Sequence, residues 1–423
     1  MILLVSDLDL HGSGYLNIAI ALSSELHARG RNLTVLGIGY DGAEHSWPFQ
    51  IIPVDPNAAW QGVSAMVNNF DALGQKGQHE AIEAIVIALD IPHHQQGLRL
   101  VNGRWPYIGI FPVESGPVRR SWAAIVASMS SRLVISEFGK GALRDAGITA
   151  EHLRVGVDME AWRPPRPEER ASMRKALDFG DDVFHVLTVA DNQERKNLSA
   201  AAEAISILVG RGIKVRWSVV TRVNAFVGWN LDDLAADFAI QDSMLKYERG
   251  IAHDRLWLLH ATSDAFLLTS KAEGCCLPVL EAMASRLPIV VTDCTSLHEH
   301  LCEPGSAKAT RGFPIRVRWH HMDPWGNSIR HYIDPVHAAD QLERVYRMRG
   351  TPALAGILDR AQAYIADRPW SAAGELLNNE ISRAMTARNG VPTVVERQDA
   401  RPVTIPHAIP IQEPQMRVPG EAE

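Results

Sequence analysis

The chain has few cysteines. Its 423 residues contain four, Cys275, Cys276, Cys294 and Cys302, all in one stretch. None form C-x-x-C and no histidine lies at zinc-finger spacing from them, which argues against the usual zinc and dithiol motifs. They read as reduced, mostly buried thiols of a cytosolic protein, because free cysteine is among the most buried residue types. Long apolar runs are also lacking. The best, Ala81 to Leu89, carries a glutamate and is about half the ~18 residues a membrane helix needs. The opening MILLVSDLDLHG has no basic segment and turns acidic at once, so it reads as a buried strand and not as a secretion signal. Positive charge is in deficit. A net charge of −7 speaks against general electrostatic binding of nucleic acid or an anionic membrane. The expected location is cytoplasmic, without stable membrane insertion. A thin patch at Arg119, Arg120 and Trp122 leaves peripheral membrane contact open.

The apolar content is 46% and the charged content 22%, enough for real cores, and the length suits two or three domains. ILLVS is a continuous apolar run, as in a strand buried on both faces. A polar loop with glycines follows, then LNIAIALSSELHARG at helical spacing, then the run NLTVLGIG. Strand, helix and strand in about 40 residues make a βαβ unit and imply a parallel sheet. Further strands are expected at 84–89, 107–113 and 132–138. The proline-bearing and charged 152–170 reads as a linker. A second α/β half follows, with strands expected at 184–190, 214–220, 265–270 and 287–293. Its helices are expected at Asn197–Gly210, Leu231–Ala239, Asp254–Thr262, Pro278–Ser285, 336–349, 353–366 and 371–386. Beyond Ala387 the composition turns rich in proline and charge with no periodicity, and 387–423 reads as a disordered tail.

In doubly wound sheets ligands bind at the carboxyl ends of the strands. The loop KAEGCCLPVLEAMA after the run AFLLTS therefore draws attention. Pro278 suits a first helical turn, so the N–H groups of Gly274, Cys275, Cys276 and Leu277 are expected at a helix N-terminus, ready for phosphate. Gly274 would let the backbone approach a ligand closely. Glu273 precedes this loop and Glu281 lies about one turn into the helix. Two carboxylates beside a row of N–H groups suit a ligand made of diphosphate and sugars.

EGCCLPVLEAMA resembles the E-x7-E motif of retaining GT-B-fold glycosyltransferases of the family-4 type, which use nucleotide-sugar donors. RVGVDMEAWRP, VISEFGKGALRDAGI, LTVADNQERKNLSAAAEAISIL and LPIVVTDCTSLHEHL resemble other segments of that family, in the same order. The resemblance runs over about residues 1–375. It implies two doubly wound Rossmann-like domains (GT-B) facing a central cleft, with the disordered tail behind them. The acceptor-side domain would be 1–165 and the donor domain 166–370, with a helix at 371–386 packing back on the first domain.

By resemblance Glu273 would contact sugar hydroxyls of the donor and Glu281 the ribose hydroxyls. The loop N–H groups would hold sugar and phosphate. Lys196 and Arg195 would stabilise the departing diphosphate. Gly12 and Gly14 would face the cleft near the donor phosphate or the acceptor. Asp90, His93 and Glu114 follow strands and are candidates at the cleft, His93 in a sugar-contacting or catalytic role and Glu114 for orienting an acceptor. Trp229 and Trp325 are candidates for stacking on sugar or base, although large aromatics are more often core. The chain departs from the family at Ala190-Asp191, where a glycine and an arginine are usual, so Arg195 is the candidate replacement. Asp191 should then point away or pair with Arg195. Cys275 and Cys276 replace smaller or aromatic residues and would reshape the pocket.

The expected function is transfer of a hexose from a nucleoside-diphosphate sugar to an acceptor hydroxyl, with retention, no metal and no tightly bound cofactor. The alternatives are a catalytically silent nucleotide-sugar-binding protein, or another GT-B enzyme such as a sugar epimerase. Protein, lipid-linked sugar, small metabolite and modified nucleic acid all stay open as acceptor. Asp7-Leu8-Asp9 resembles a metal-binding triplet of another glycosyltransferase fold, but it ends a βαβ strand, the wrong setting for one.

Overall fold

The computed structural model describes residues 1–10, 12, 14–224, 228–324 and 328–390. Trp325, Ser13 and the expected tail from 391 onward lie outside the described residues.

The first sheet holds β1 (Ile2–Asp7), β2 (Leu33–Ile38), β3 (Gln50–Val54), β4 (Ala84–Ala88), β5 (Tyr107–Phe111), β6 (Ser131–Val134) and β7 (Glu151–His152). All its strands are parallel, in the order β3-β2-β1-β4-β5-β6-β7. Its helices are α1 (Gly14–Ala28), α2 (Trp60–Gln75), α3 (Ile91–Val101), α4 (Arg120–Ala127) and α5 (Glu137–Asp145). The second sheet holds β8 (Phe184–Val189), β9 (Val215–Thr221), β10 (Met244–Glu248), β11 (Ala265–Leu268), β12 (Ile289–Thr292) and β13 (Phe313–Ile315). It is also parallel, in the order β10-β9-β8-β11-β12-β13. Around it lie α6 (Pro167–Ala176), α7 (Leu198–Gly210), α8 (Leu231–Asp237), α9 (His253–Thr262), α10 (Leu277–Ala284), α11 (Thr295–Leu301), α12 (Pro335–Met348) and α13 (Pro352–Ala366). The hairpin β14 (Val317–Asp323) and β15 (Ser328–Ile333) stands apart from both sheets. Among the described residues no helix is long and apolar enough to cross a membrane.

The central strands are buried from end to end because helices cover both faces, which is why they read as unbroken apolar runs. In each sheet the chain order reverses beside the first strand, at β1/β4 and at β8/β11. A crevice opens at such a switch point, outside the carboxyl ends of the strands. The loops after β1 and β4 therefore face the same kind of crevice as the loops after β8 and β11.

Several expectations need correction. The stretch 152–170 is not all linker. His152 ends β7, and α6 starts at Pro167, whose missing N–H suits a first helical turn. The last helix, α14, runs Trp370–Gly390, so Ala387 to Gly390 belong to it and not to a tail. Ala387 and Arg388 are good helix formers, and Gly390 is a natural stop. This helix lies on α1; just past α1, Arg31 Nε donates to Asn378 Oδ1 at 2.7 Å, and at β6 the Ser131 hydroxyl donates to Glu380 at 2.5 Å. Strands β3, β10 and β13 and the hairpin are too short or too polar to stand out in the sequence. Met244–Glu248 buries little beyond Met244, as an edge strand does.

Candidate active site

After β8 the chain makes a short 3-10 turn, Glu194–Lys196, which aims two cations at one carboxylate. Lys196 Nζ lies 2.6 Å from Glu273 Oε1, and Arg195 Nη1 lies 3.0 Å from Glu273 Oε2. Arg195 Nη1 also donates to the Ala272 carbonyl at 2.6 Å. Burial alone would raise the Glu273 pKa. The Lys196 and Arg195 charges, with hydrogen bonds from Lys196 and Ser270, outweigh it and bring the pKa down to about 2. Burial likewise works against the charge on Arg195, and Glu273 and Glu114 hold its pKa above the usual value. The Glu273 backbone is pinned from α11. Its N–H donates to Thr295 Oγ1 at 2.9 Å, and its carbonyl accepts from Thr295 Oγ1 at 3.1 Å and Ser296 Oγ at 2.8 Å.

The loop from Gly274 to Leu277 follows at once. No acceptor among the described residues takes the N–H groups of Gly274, Cys275, Cys276 or Leu277. Three of these residues are buried and Cys276 is half-buried. Cys276 sits in the left-handed region at φ 69°, the turn that swings the chain into α10. The Cys275 carbonyl accepts from His300 Nε2 at 2.6 Å, and burial lowers the His300 pKa to about 3, so the imidazole is neutral. This carbonyl is thereby turned away from the unpaired N–H groups. A Cβ on Gly274 would lie 2.4 Å from Pro112 Cβ, so the glycine permits the approach of the β5 loop; the expected reason, approach of a ligand, is not the nearest constraint.

Glu281, in the second turn of α10, is buried, not an exposed helix residue. It has no ionic or hydrogen-bonding partner among the described residues, and burial raises its pKa to about 7. An unpaired buried carboxylate is rare in an interior that satisfies its polar groups.

The first sheet brings its own residues to the same crevice. Gly12, at φ 109°, lies beside Gly250, and Gly14 beside Leu277, so the β1 loop meets the second half of the chain. Asp9 pairs with Arg249 at 2.9 Å, which ties up one carboxylate of the Asp-Leu-Asp triplet. Asp90 accepts from the Tyr15 hydroxyl at 2.6 Å. His93 is exposed on the first turn of α3. Its neighbour His94 is the buried one, bonded to Tyr107 and the Leu89 carbonyl, with a pKa lowered by burial to about 4. Glu114 bridges the halves, 2.9 Å from Arg195 Nη2 and 3.8 Å from Arg330 Nη1.

Of the two alternatives for Asp191, the structure shows the first: it points away from Arg195. It lies 3.0 Å from Arg222 and accepts from the Gln193 amide, because the residues after β8 turn it toward the β9 end. Trp229 packs against the second core, and its main chain is bonded to the Asn192 side chain. Other residues escaped the sequence reading. Lys271 is buried, pairs with Glu194, sits 4.4 Å over the Tyr332 ring, and has a pKa lowered by burial to about 8. Thr295 and Arg330 are two more. Lys271 and Thr295 lie in quoted motifs but had no role assigned there, and Arg330 comes from the hairpin, which no motif marks.

Residues 169–313 match the family described as Glycosyl transferases group 1. A putative glycosyltransferase, EpsD, from Bacillus subtilis is 26% identical over 178 residues, 42% of this chain and 44% of that protein. The O-antigen chain mannosyltransferase B of Escherichia coli is 26% identical over 29% of this chain and 32% of its own length. The matched stretch thus spans less than half of these curated relatives. Among solved structures, a sucrose-phosphate synthase from Thermosynechococcus elongatus superposes with a TM-score of 0.71 at 14% identity, over 91% of this chain and 99% of that one. HepE of Anabaena, solved in complex with UDP-glucose, gives 0.68 at 15% identity, over 90% and 99%. The chain therefore has the GT-B fold of two facing parallel-sheet domains, and its second half carries a region matching the group 1 glycosyl transferases.

Proposed function

We propose that this protein is a glycosyltransferase that moves a hexose from a nucleoside-diphosphate sugar to an acceptor hydroxyl, with retention and without a metal. The observation that carries the reading is the row of four unpaired N–H groups at the start of α10, beside Arg195 and Lys196. Buried N–H groups left without a partner are rare, and this set fits the oxygens of a phosphate. UDP-glucose in HepE and the mannosyltransferase names of relatives support a hexose donor.

In this reading residues 1–165 form the acceptor-side domain, 166–370 the donor domain, and the helix at 371–386 returns to the first. The diphosphate displaces Glu114 from Arg195 and lies against the N–H row. Glu281 accepts from the ribose hydroxyls, which relieves its isolation. Glu273 meets sugar hydroxyls while it holds the two cations in place. The bond from the anomeric carbon to the phosphate oxygen breaks, and Arg195 and Lys196 stabilise the charge left on phosphate. The acceptor oxygen bonds to the anomeric carbon from the same face, and its proton passes to the departing phosphate oxygen. Asp90, His93 and Glu114 border the acceptor side. Contact between the two halves keeps water out.

The test is release of nucleoside diphosphate from UDP-, GDP- and ADP-hexoses with and without EDTA, on wild type and Lys196→Ala. One donor should be turned over in EDTA, with the variant slower by roughly a hundredfold or more. NMR of the product should show the donor's anomeric configuration. No turnover of any donor, with wild type and variant alike, would leave a nucleotide-sugar-binding protein.

A further inference from the structure

We propose that the amino edge of the second sheet carries a separate binding site for a phosphorylated small molecule. A cavity of about 520 Å³ opens there, within the size range of small-molecule sites. Ser263 and Asp264, just before β11, and Pro288, just before β12, are among its walls. This is the opposite edge from the N–H row. The eight residues of α10 separate the two, about 12 Å of helix, with the row at one end and Arg286 just past the other.

Four arginines line the cavity, and the carboxylate among them is shared. Asp264 lies 2.8 Å from Arg170, 3.2 Å from Arg174 and 3.9 Å from Arg349, and it also accepts from the His185 N–H. Arg174 uses its guanidinium on this floor, donating to the carbonyls of Thr262, Gly180 and Val183. The other three do not. Arg170 makes all its bonds through Nη2. Arg286 uses Nη1, on Asp359 and Gln362. Arg349 gives Nε to the Tyr346 carbonyl. That leaves Nε and Nη1 of Arg170, Nε and Nη2 of Arg286 and Nη2 of Arg349 without a hydrogen-bond acceptor among the described residues. Asp181 also lines the cavity, and with Asp264 it offsets only two of the four arginines, so the charge of the lining stays positive.

Arg286 is held at φ 57°, just past the end of α10, where glycine is the usual residue. A long charged side chain in a strained position argues for its reach into the cavity. Guanidinium forks match the paired oxygens of a phosphate. Leu354 and Leu358 add an apolar wall, which suits the body of a phosphorylated metabolite beside the arginines that take its phosphate.

The experiment titrates inorganic pyrophosphate calorimetrically into Lys196→Ala, in which the N–H row has lost a cation, and follows amide hydrogen exchange. We expect one site in that variant, with protection at the end of α10 and in the first turns of α13. Adding Arg286→Gly and Arg349→Gln should weaken it at least tenfold. Glycine suits the backbone at 286, so an unchanged melting temperature will show that the fold survives. Arg170→Gln alone, a less buried change, should also weaken binding. Equal affinity with and without these substitutions, no binding in Lys196→Ala, or protection confined to residues 274–277 would each overturn the proposal.

Discussion

Glu281 makes the protein more stable as it gains a proton, and the size of that effect follows from its burial. Its pKa stands at about 7 against an ordinary value of 4.5, with burial as the cause. At about 1.4 kcal/mol for each pH unit, this shift amounts to roughly 3 kcal/mol. The sign is fixed by proton counting. Between pH 4.5 and about 7 the folded chain binds more protons here than the unfolded chain, so stability falls as pH rises through this window. Above it the penalty is complete; below 4.5 it is gone. Glu281→Gln keeps the shape and removes the charge. At pH 8 the variant should be more stable than wild type by up to about 3 kcal/mol, a gain of several degrees at roughly 2–4 °C per kcal/mol for a domain of this size. At pH 4.5 the two should coincide. Thermal unfolding by calorimetry from pH 4.5 to 8 reads this directly. A glutamine variant that is equal to or less stable than wild type at pH 8 would show that Glu281 has a charge partner and would refute the reasoning. The same variant should lose most of the stabilisation that a nucleoside diphosphate confers on wild type.

Gly274→Ala should destabilise by about 1–3 kcal/mol, because its Cβ would lie 2.4 Å from Pro112 and one loop must give way; chemical unfolding measures it, and a neutral result would mean the two loops part freely. Glu114→Gln frees Arg195 from a competing carboxylate, so nucleoside diphosphate should bind several-fold tighter by calorimetry, whereas weaker binding would count against displacement of Glu114 by phosphate. His300→Ala removes the donor to the Cys275 carbonyl and should cost about 1–3 kcal/mol. That loss should shrink as pH falls from 8 to 5, because the unfolded imidazole gains a proton below its ordinary value of 6.5 while the folded ring stays neutral, a penalty that only wild type carries. Cys275, buried with its pKa raised by burial to about 12, should react with a thiol reagent only at the rate of unfolding; fast labelling would show that the loop opens on its own.

Much of the site was legible because it is local. Glu273, the loop N–H groups and Glu281 lie within nine residues, and a helix turn sets how they stand to one another. Lys196 and Arg195 follow another strand of the same sheet. The rest depends on partners far along the chain. Asp191 looked close to Arg195 in sequence, yet Arg222 holds it and Glu114 of the first half takes its expected place. Of the two adjacent histidines, His93 stands exposed on the first turn of α3 and His94 holds the buried position, a choice set by which side of the helix faces the sheet.

What the sequence alone determined is the repeated alternation of apolar runs and helical spacing, and from it two parallel sheets with a loop cluster at their carboxyl ends. The physical reason is that burial on both faces leaves an unbroken apolar run, which needs no knowledge of the partner strand. Only the tertiary structure decided which charges meet. Arg195 joins Glu273 to Glu114 across the two halves, Gly274 makes room for Pro112, and one aspartate is shared by three arginines at the far edge of the second sheet. These contacts join residues tens to hundreds of positions apart, and no local periodicity records them.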